Sequence, residues 1–178
     1  SHYGLDGPFV LWVGTTEPRK NLVRLVSAME QIPDVPLVLV GPAGWKEDAA
    51  SVTEPLGERA HIVGRVDEAT KHAWYAAADV FAMPSLLEGF GLPVLEAMGH
   101  ATPVVTSAGT ATEEVVGDAG DTVDPTDADA IAGAISGLLA DPDEATRLGE
   151  AGRERAVTMT WAAAATATAD VYRRVLAK

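Results

Sequence analysis

The sequence predicts an α/β fold: one domain built on a parallel sheet of six strands, with helices on both faces and a helical C-terminal extension. Three observations carry this reading. Short β-rich runs alternate with longer helical patterns, the order that produces crossover connections and therefore parallel strands. The first two runs, residues 9–14 and 35–41, are almost continuously apolar, as strands covered on both faces are. After residue 124 the strand pattern stops while helical patterning continues. A chain of 178 residues, 47% hydrophobic and 22% charged, suits a single globular domain that buries about 70% of its unfolded surface and needs no disulfide or structural metal.

The elements follow in order. Strands are expected at residues 9–14, 35–41, 60–64, 79–83, 103–107 and 121–124. Between the first two, residues 21–31 set Leu22, Leu25, Val26 and Met29 on one helical stripe, and Pro33 stops the helix. Residues 67–78 open on Asp67, a good N-cap. Thr110 with Glu113, and Asp141 with Glu144, have the spacing of reciprocal caps, and Pro142 suits a first helical turn. Helices at 127–140, 142–157 and 161–177, the last capped by Thr160, complete the chain. The pattern is that of a Rossmann-like domain, for which the expected strand order is 3-2-1-4-5-6.

Composition narrows the function. Lys and Arg number 13 against 26 Asp and Glu, giving 13 − 26 = −13, so nucleic acid and anionic membranes are poor partners. The absence of cysteine excludes disulfides, zinc–thiolate sites and thiol nucleophiles and suits a cytoplasmic chain. No apolar run approaches the length of a membrane span, and the opening residues carry no signal-peptide pattern. His2, His61, His72 and His100 lack metal-ligand spacing, while Asp124, Asp127 and Asp129 lack the glycine and distal glutamate of a calcium loop; no metal or cofactor is expected. Phosphate-loop, nucleophile-elbow and complete dinucleotide motifs do not occur.

Chemistry concentrates after the fourth strand, in Pro84-Ser85-Leu86-Leu87-Glu88-Gly89-Phe90-Gly91-Leu92-Pro93. Gly89 and Gly91 allow a tight turn and close approach to a ligand, and Pro93 opens a helix whose N-terminal amides suit a phosphate. Glu88 stays on the loop and Glu96 lies about one turn inside the helix; the inner carboxylate is suited to accept hydrogen bonds from paired ribose hydroxyls. Taken singly, the alternatives are a solvated Glu96 and a Glu88 that favours the helix dipole. Between Lys71 and Arg147 the chain has no Lys or Arg but thirteen Asp and Glu. Cations for an anionic ligand must therefore come from elsewhere, and Arg19, Lys20 and Arg24 form the nearest cluster. The first and fourth strands are neighbours at the topological switch point, which brings the loops of residues 15–21 and 84–91 to one crevice. The Gly41-Pro42-Ala43-Gly44 segment either borders the ligand or is a plain turn.

Several blocks occur together and in order: residues 9–22, containing Gly14-Thr15-Thr16-Glu17-Pro18-Arg19-Lys20-Asn21; His61-Ile62-Val63-Gly64-Arg65-Val66; residues 78–85; the E-x7-E pair of Glu88 and Glu96; and Glu114-Val115-Val116-Gly117-Asp118-Ala119-Gly120. With these the chain resembles the C-terminal, donor-binding half of a retaining glycosyltransferase of GT-B architecture, family four. The resemblance implies a nucleotide-diphospho-sugar donor, no metal, and an N-terminal acceptor-binding half that this chain lacks, to which any membrane contact would belong; the domain alone is then expected to be inactive. It implies that Glu88, Arg19 and Lys20 serve the transfer step, with Glu88 beside the sugar and both cations on the departing diphosphate. Donor contacts would come from Gly14, Gly41, Arg65, Val66, Ser85, Gly89, Phe90, Gly91 and Leu92, with Glu96 on the ribose. Thr15 stands where many members have arginine, which leaves that contact to Arg19 or removes it. Gly99-His100-Ala101 replaces the usual small-residue turn. The competing readings are a non-catalytic module that assembles through its acidic surface and half of a sugar-nucleotide epimerase.

Overall fold

A computed structural model describes residues 5–46 and 48–177. Ser1 to Gly4, including His2, lie outside the described residues, as do Glu47 and Lys178. Six strands, β1 (Val10–Val13), β2 (Leu37–Val40), β3 (Ala60–Gly64), β4 (Val80–Met83), β5 (Val104–Ser107) and β6 (Asp121–Val123), form one sheet in the order 3-2-1-4-5-6. Every neighbouring pair is parallel. The expected fold and strand order are both present.

The helices are α1 (Leu22–Met29), α2 (Ala49–Thr53), α3 (Glu68–Ala77), α4 (Leu92–Gly99), α5 (Ala111–Val116), α6 (Ala128–Ala140), α7 (Pro142–Ala156) and α8 (Trp161–Leu176). Helix α2 and the 3-10 segment Glu54–Arg59 have no counterpart in the expected elements, because five residues ending in Val52 and Thr53 hold no helical stripe. Side chains alternate across the strands and feed two cores. Val10 and Trp12 of β1 face α1 and α6, packing with Leu25, Met29, Ile131 and Ile135. Leu11 and Val13 face the opposite layer, with Tyr75 of α3, Val94 and Met98 of α4 and Val115 of α5. A Leu→Ala change at such a fully buried position costs about 2–5 kcal/mol, so either layer alone can decide whether the chain folds.

Caps at Asp67, Asp127 and Thr160 accept main-chain N–H groups from Thr70, Ala130 and Ala163. Two expected reciprocal caps are made differently. Glu113 reaches past its cap residue to the Gly109 N–H at 2.7 Å. Asp141 caps the Glu144 N–H, but the Glu144 carboxylate turns to Arg147 at 2.6 Å, since a cation one turn on is a stronger partner than an amide. In the turn after α4, Ala101 rather than Gly99 takes the left-handed conformation, at φ 57°. Helix α8 contributes no buried residue.

Candidate functional site

The site is built on the C-terminal ends of β1 and β4, neighbours in the sheet where the strand order reverses. The loop after β1 forms a short 3-10 turn, Pro18–Lys20, whose Arg19 carbonyl accepts the Leu86 N–H at 2.8 Å. Asn21 then adopts the left-handed conformation at φ 58°, which asparagine tolerates better than most residues. Its amide donates to the carbonyls of Pro84, 2.9 Å, and Pro125, 2.7 Å. One side chain thus ties together the loops that follow β1, β4 and β6. Sequence reasoning passed over this residue, although an asparagine between a basic pair and an amphipathic helix was a visible signal.

Glu88 is clasped from the loop after β1. Lys20 Nζ lies 2.6 Å from its Oε1 and Arg19 Nη1 3.2 Å from its Oε2. Arg19 also donates to the Leu87 carbonyl and to Glu17, at 3.3 and 2.9 Å. Lys20 and Glu88 are nearly enclosed, each with 7% of its side chain exposed, against 44% for Arg19. Two cations and two carboxylates sum to zero, so the basic pair brings hydrogen-bond donors to the loop rather than the surplus positive charge that the sequence suggested.

Beside this cluster opens a cleft of about 370 Å³, lined among others by Gly14, Thr15, Gly41, Arg65, Val66 and Lys71. Gly41 is obligatory in its wall: φ is +141°, and a Cβ there would stand 1.9 Å from the Gly14 carbonyl oxygen. Gly14 joins the cleft to the ion cluster, since a Cβ on it would lie 3.7 Å from Lys20 Cε. Lys71 joins the cleft to the inner glutamate, with Nζ 3.0 Å from Glu96 Oε1. The Tyr75 hydroxyl donates to Glu96 Oε2 at 2.9 Å. Burial, reinforced by the charge of Glu96, pushes the Tyr75 phenol far up, so it remains a donor. For Lys71, burial disfavours the charge, but hydrogen bonds to Glu68 and Glu96 outweigh it and raise the ammonium above its ordinary range. His100, 2.8 Å from His72 between ring nitrogens, is lowered by burial and then by the neighbouring imidazole.

The remaining expected residues divide. Phe90, beside Gly89 on the loop, and Leu92, the first residue of α4, are exposed. Gly91, at φ 98°, immediately precedes α4, whose N-terminus no side chain caps. Ser85 is wholly buried and its hydroxyl has no partner among the described residues, so it stands behind the loop rather than on its open side. No group of three metal-ligating side chains converges among the described residues.

This juxtaposition of loop, ion cluster and cleft coincides with a family assignment: the model of glycosyl transferases group 1 matches residues 4–155. The chain belongs to that family. The "O-antigen chain mannosyltransferase B" of Escherichia coli is 38% identical over 173 residues, a match covering 93% of this chain and 45% of the relative. The "GDP-mannose-dependent alpha-(1-6)-phosphatidylinositol monomannoside mannosyltransferase" of Mycolicibacterium smegmatis is also 38% identical over 173 residues, covering 87% and 45%. Among solved structures, the sucrose-phosphate synthase of Thermosynechococcus elongatus superposes with a TM-score of 0.85 at 39% identity, over 97% of this chain and 46% of that one. The chain thus spans less than half the length of these relatives. No helix among its described residues is long and apolar enough to cross a membrane.

Proposed function

We propose that the chain is the donor-binding domain of a retaining glycosyltransferase and holds a nucleotide-diphospho-sugar. The observation that carries this is the clasp of Glu88 by Arg19 and Lys20, 3.2 and 2.6 Å, where the loops after β1 and β4 meet. In this reading the nucleoside enters the cleft bordered by Gly14, Gly41, Arg65 and Val66, and Glu96 accepts hydrogen bonds from the ribose hydroxyls. The diphosphate lies along the Gly89-Phe90-Gly91-Leu92 backbone at the start of α4, which no side chain caps and whose dipole favours an anion. Glu88 faces the sugar. When the bond between the sugar's anomeric carbon and the diphosphate oxygen breaks, the electron pair leaves with the diphosphate, and Arg19 and Lys20 stabilise that charge without a metal. The acceptor would be supplied by a part of the enzyme corresponding to the remainder of the relatives' length.

The mannosyltransferase relatives support a mannosyl donor, with guanine as the base. Calorimetric titration of the folded chain with GDP-mannose, GDP and pyrophosphate tests this. Binding of GDP-mannose with at least a tenfold loss in Glu96→Ala, and a smaller loss for pyrophosphate, is the expected result. Equal losses for both ligands would remove Glu96 from the ribose, and absence of heat at millimolar ligand would end the donor-domain reading.

A further inference from the structure

We propose that Tyr75 is a positioning residue that fixes the Glu96 carboxylate in the orientation needed to read a ribose diol, an inference that rests on the ribose reading of Glu96 above. The tyrosine ring has almost no freedom. It is fully buried, meets Phe81 edge-on with centroids 5.5 Å apart, and stacks on His100 at 6.0 Å with planes 10° apart. The Tyr75 carbonyl accepts the Thr102 hydroxyl at 2.6 Å, which ties its backbone to the turn after α4. From this fixed ring the hydroxyl donates to Glu96 Oε2.

Lys71 takes the other oxygen, Oε1, but it does so from a flexible stem already shared with Glu68 at 3.0 Å. Two donors on two oxygens define the carboxylate plane, and a carboxylate has about four lone-pair directions. Two therefore remain, one on each oxygen, on a side chain 30% exposed beside a cleft that Lys71 lines. Paired hydroxyls on adjacent carbons present two donors at matching separation. Without the phenol, only the ammonium shared with Glu68 restrains the plane, and the geometry for a bidentate contact is lost.

The experiment uses Tyr75→Phe, which keeps the buried ring and its stacking, with GDP, its 2′,3′-dideoxy analogue and pyrophosphate as probes in calorimetry. Tyr75→Phe should lose about tenfold in GDP affinity while the dideoxy analogue and pyrophosphate bind as before. Equal losses for all three probes, or an unchanged GDP affinity, would overturn the inference. Glu96→Ala separates the two levels of the argument. If it abolishes the preference for GDP over the dideoxy analogue while Tyr75→Phe leaves that preference intact, the positioning role falls and the ribose reading stands. If Glu96→Ala preserves the preference, the ribose reading falls and takes the inference with it.

Discussion

Lys20 and Glu88 hold each other with 7% of either side chain exposed, so removing one leaves the other charged, enclosed and short of a partner. Breaking a buried pair in this way costs about 3–5 kcal/mol. Arg19 remains on Glu88 and moderates the loss, so Lys20→Ala should destabilise by about 3 kcal/mol in urea unfolding. Glu88→Ala should do the same, while the double substitution should cost less than the sum of the two; additive losses would show that the pair is not coupled. Much at this scale was legible beforehand: the two glutamates and the basic pair stand out from type and spacing, and the family resemblance adds the glycine that closes the cleft wall. The partners of Glu96 were not. Lys71 and Tyr75 lie 25 and 21 residues earlier, and only the packing of α3 on α4 brings them to the carboxylate. Likewise, spacing could not show that Ser85 turns inward.

At the level of elements, the loops after β1, β4 and β6 are held as one unit by Asn21. Asn21→Gly keeps the left-handed backbone and loses both hydrogen bonds, which should cost about 2 kcal/mol at roughly 1 kcal/mol per bond. Asn21→Ala adds the strain of a Cβ in that conformation, about 1–2 kcal/mol more. Thermal and chemical unfolding should therefore rank wild type above Asn21→Gly above Asn21→Ala, and equal losses in the two variants would deny the backbone contribution. Inner strands were readable because burial on both faces leaves uninterrupted apolar runs such as Leu37–Val40. Helix α2 was not, because a five-residue helix holds less than two turns of pattern and depends on its Asp48 cap and the packing around it. The reciprocal caps failed for a related reason: spacing identifies the carboxylate, but a competing cation such as Arg147 decides where it points.

Over the whole molecule, the sheet and its two packed layers contain every buried hydrophobic residue described, and α8 adds none of its sixteen. Trp161, Tyr172 and Leu176 on that helix are 82%, 65% and 85% exposed. A chain ending at Met159 should therefore unfold within a few degrees of the full chain, as tolerance to truncation follows burial. A fall of ten degrees or more would show that the core draws on α8. Strand order at this scale followed from the alternation of strands and helices, because right-handed crossovers leave few ways to wind such a chain.

Under the donor-binding reading proposed above, the neutral cluster around Glu88 also governs which solutes gain entry. A chloride ion that displaced the carboxylate would exchange one single charge for another and strand a glutamate in an enclosed space. A molecule with several anionic oxygens in a row can occupy both basic groups at once and recover that loss. The resting arrangement thus discriminates by valence, and ordinary salt should compete poorly for it.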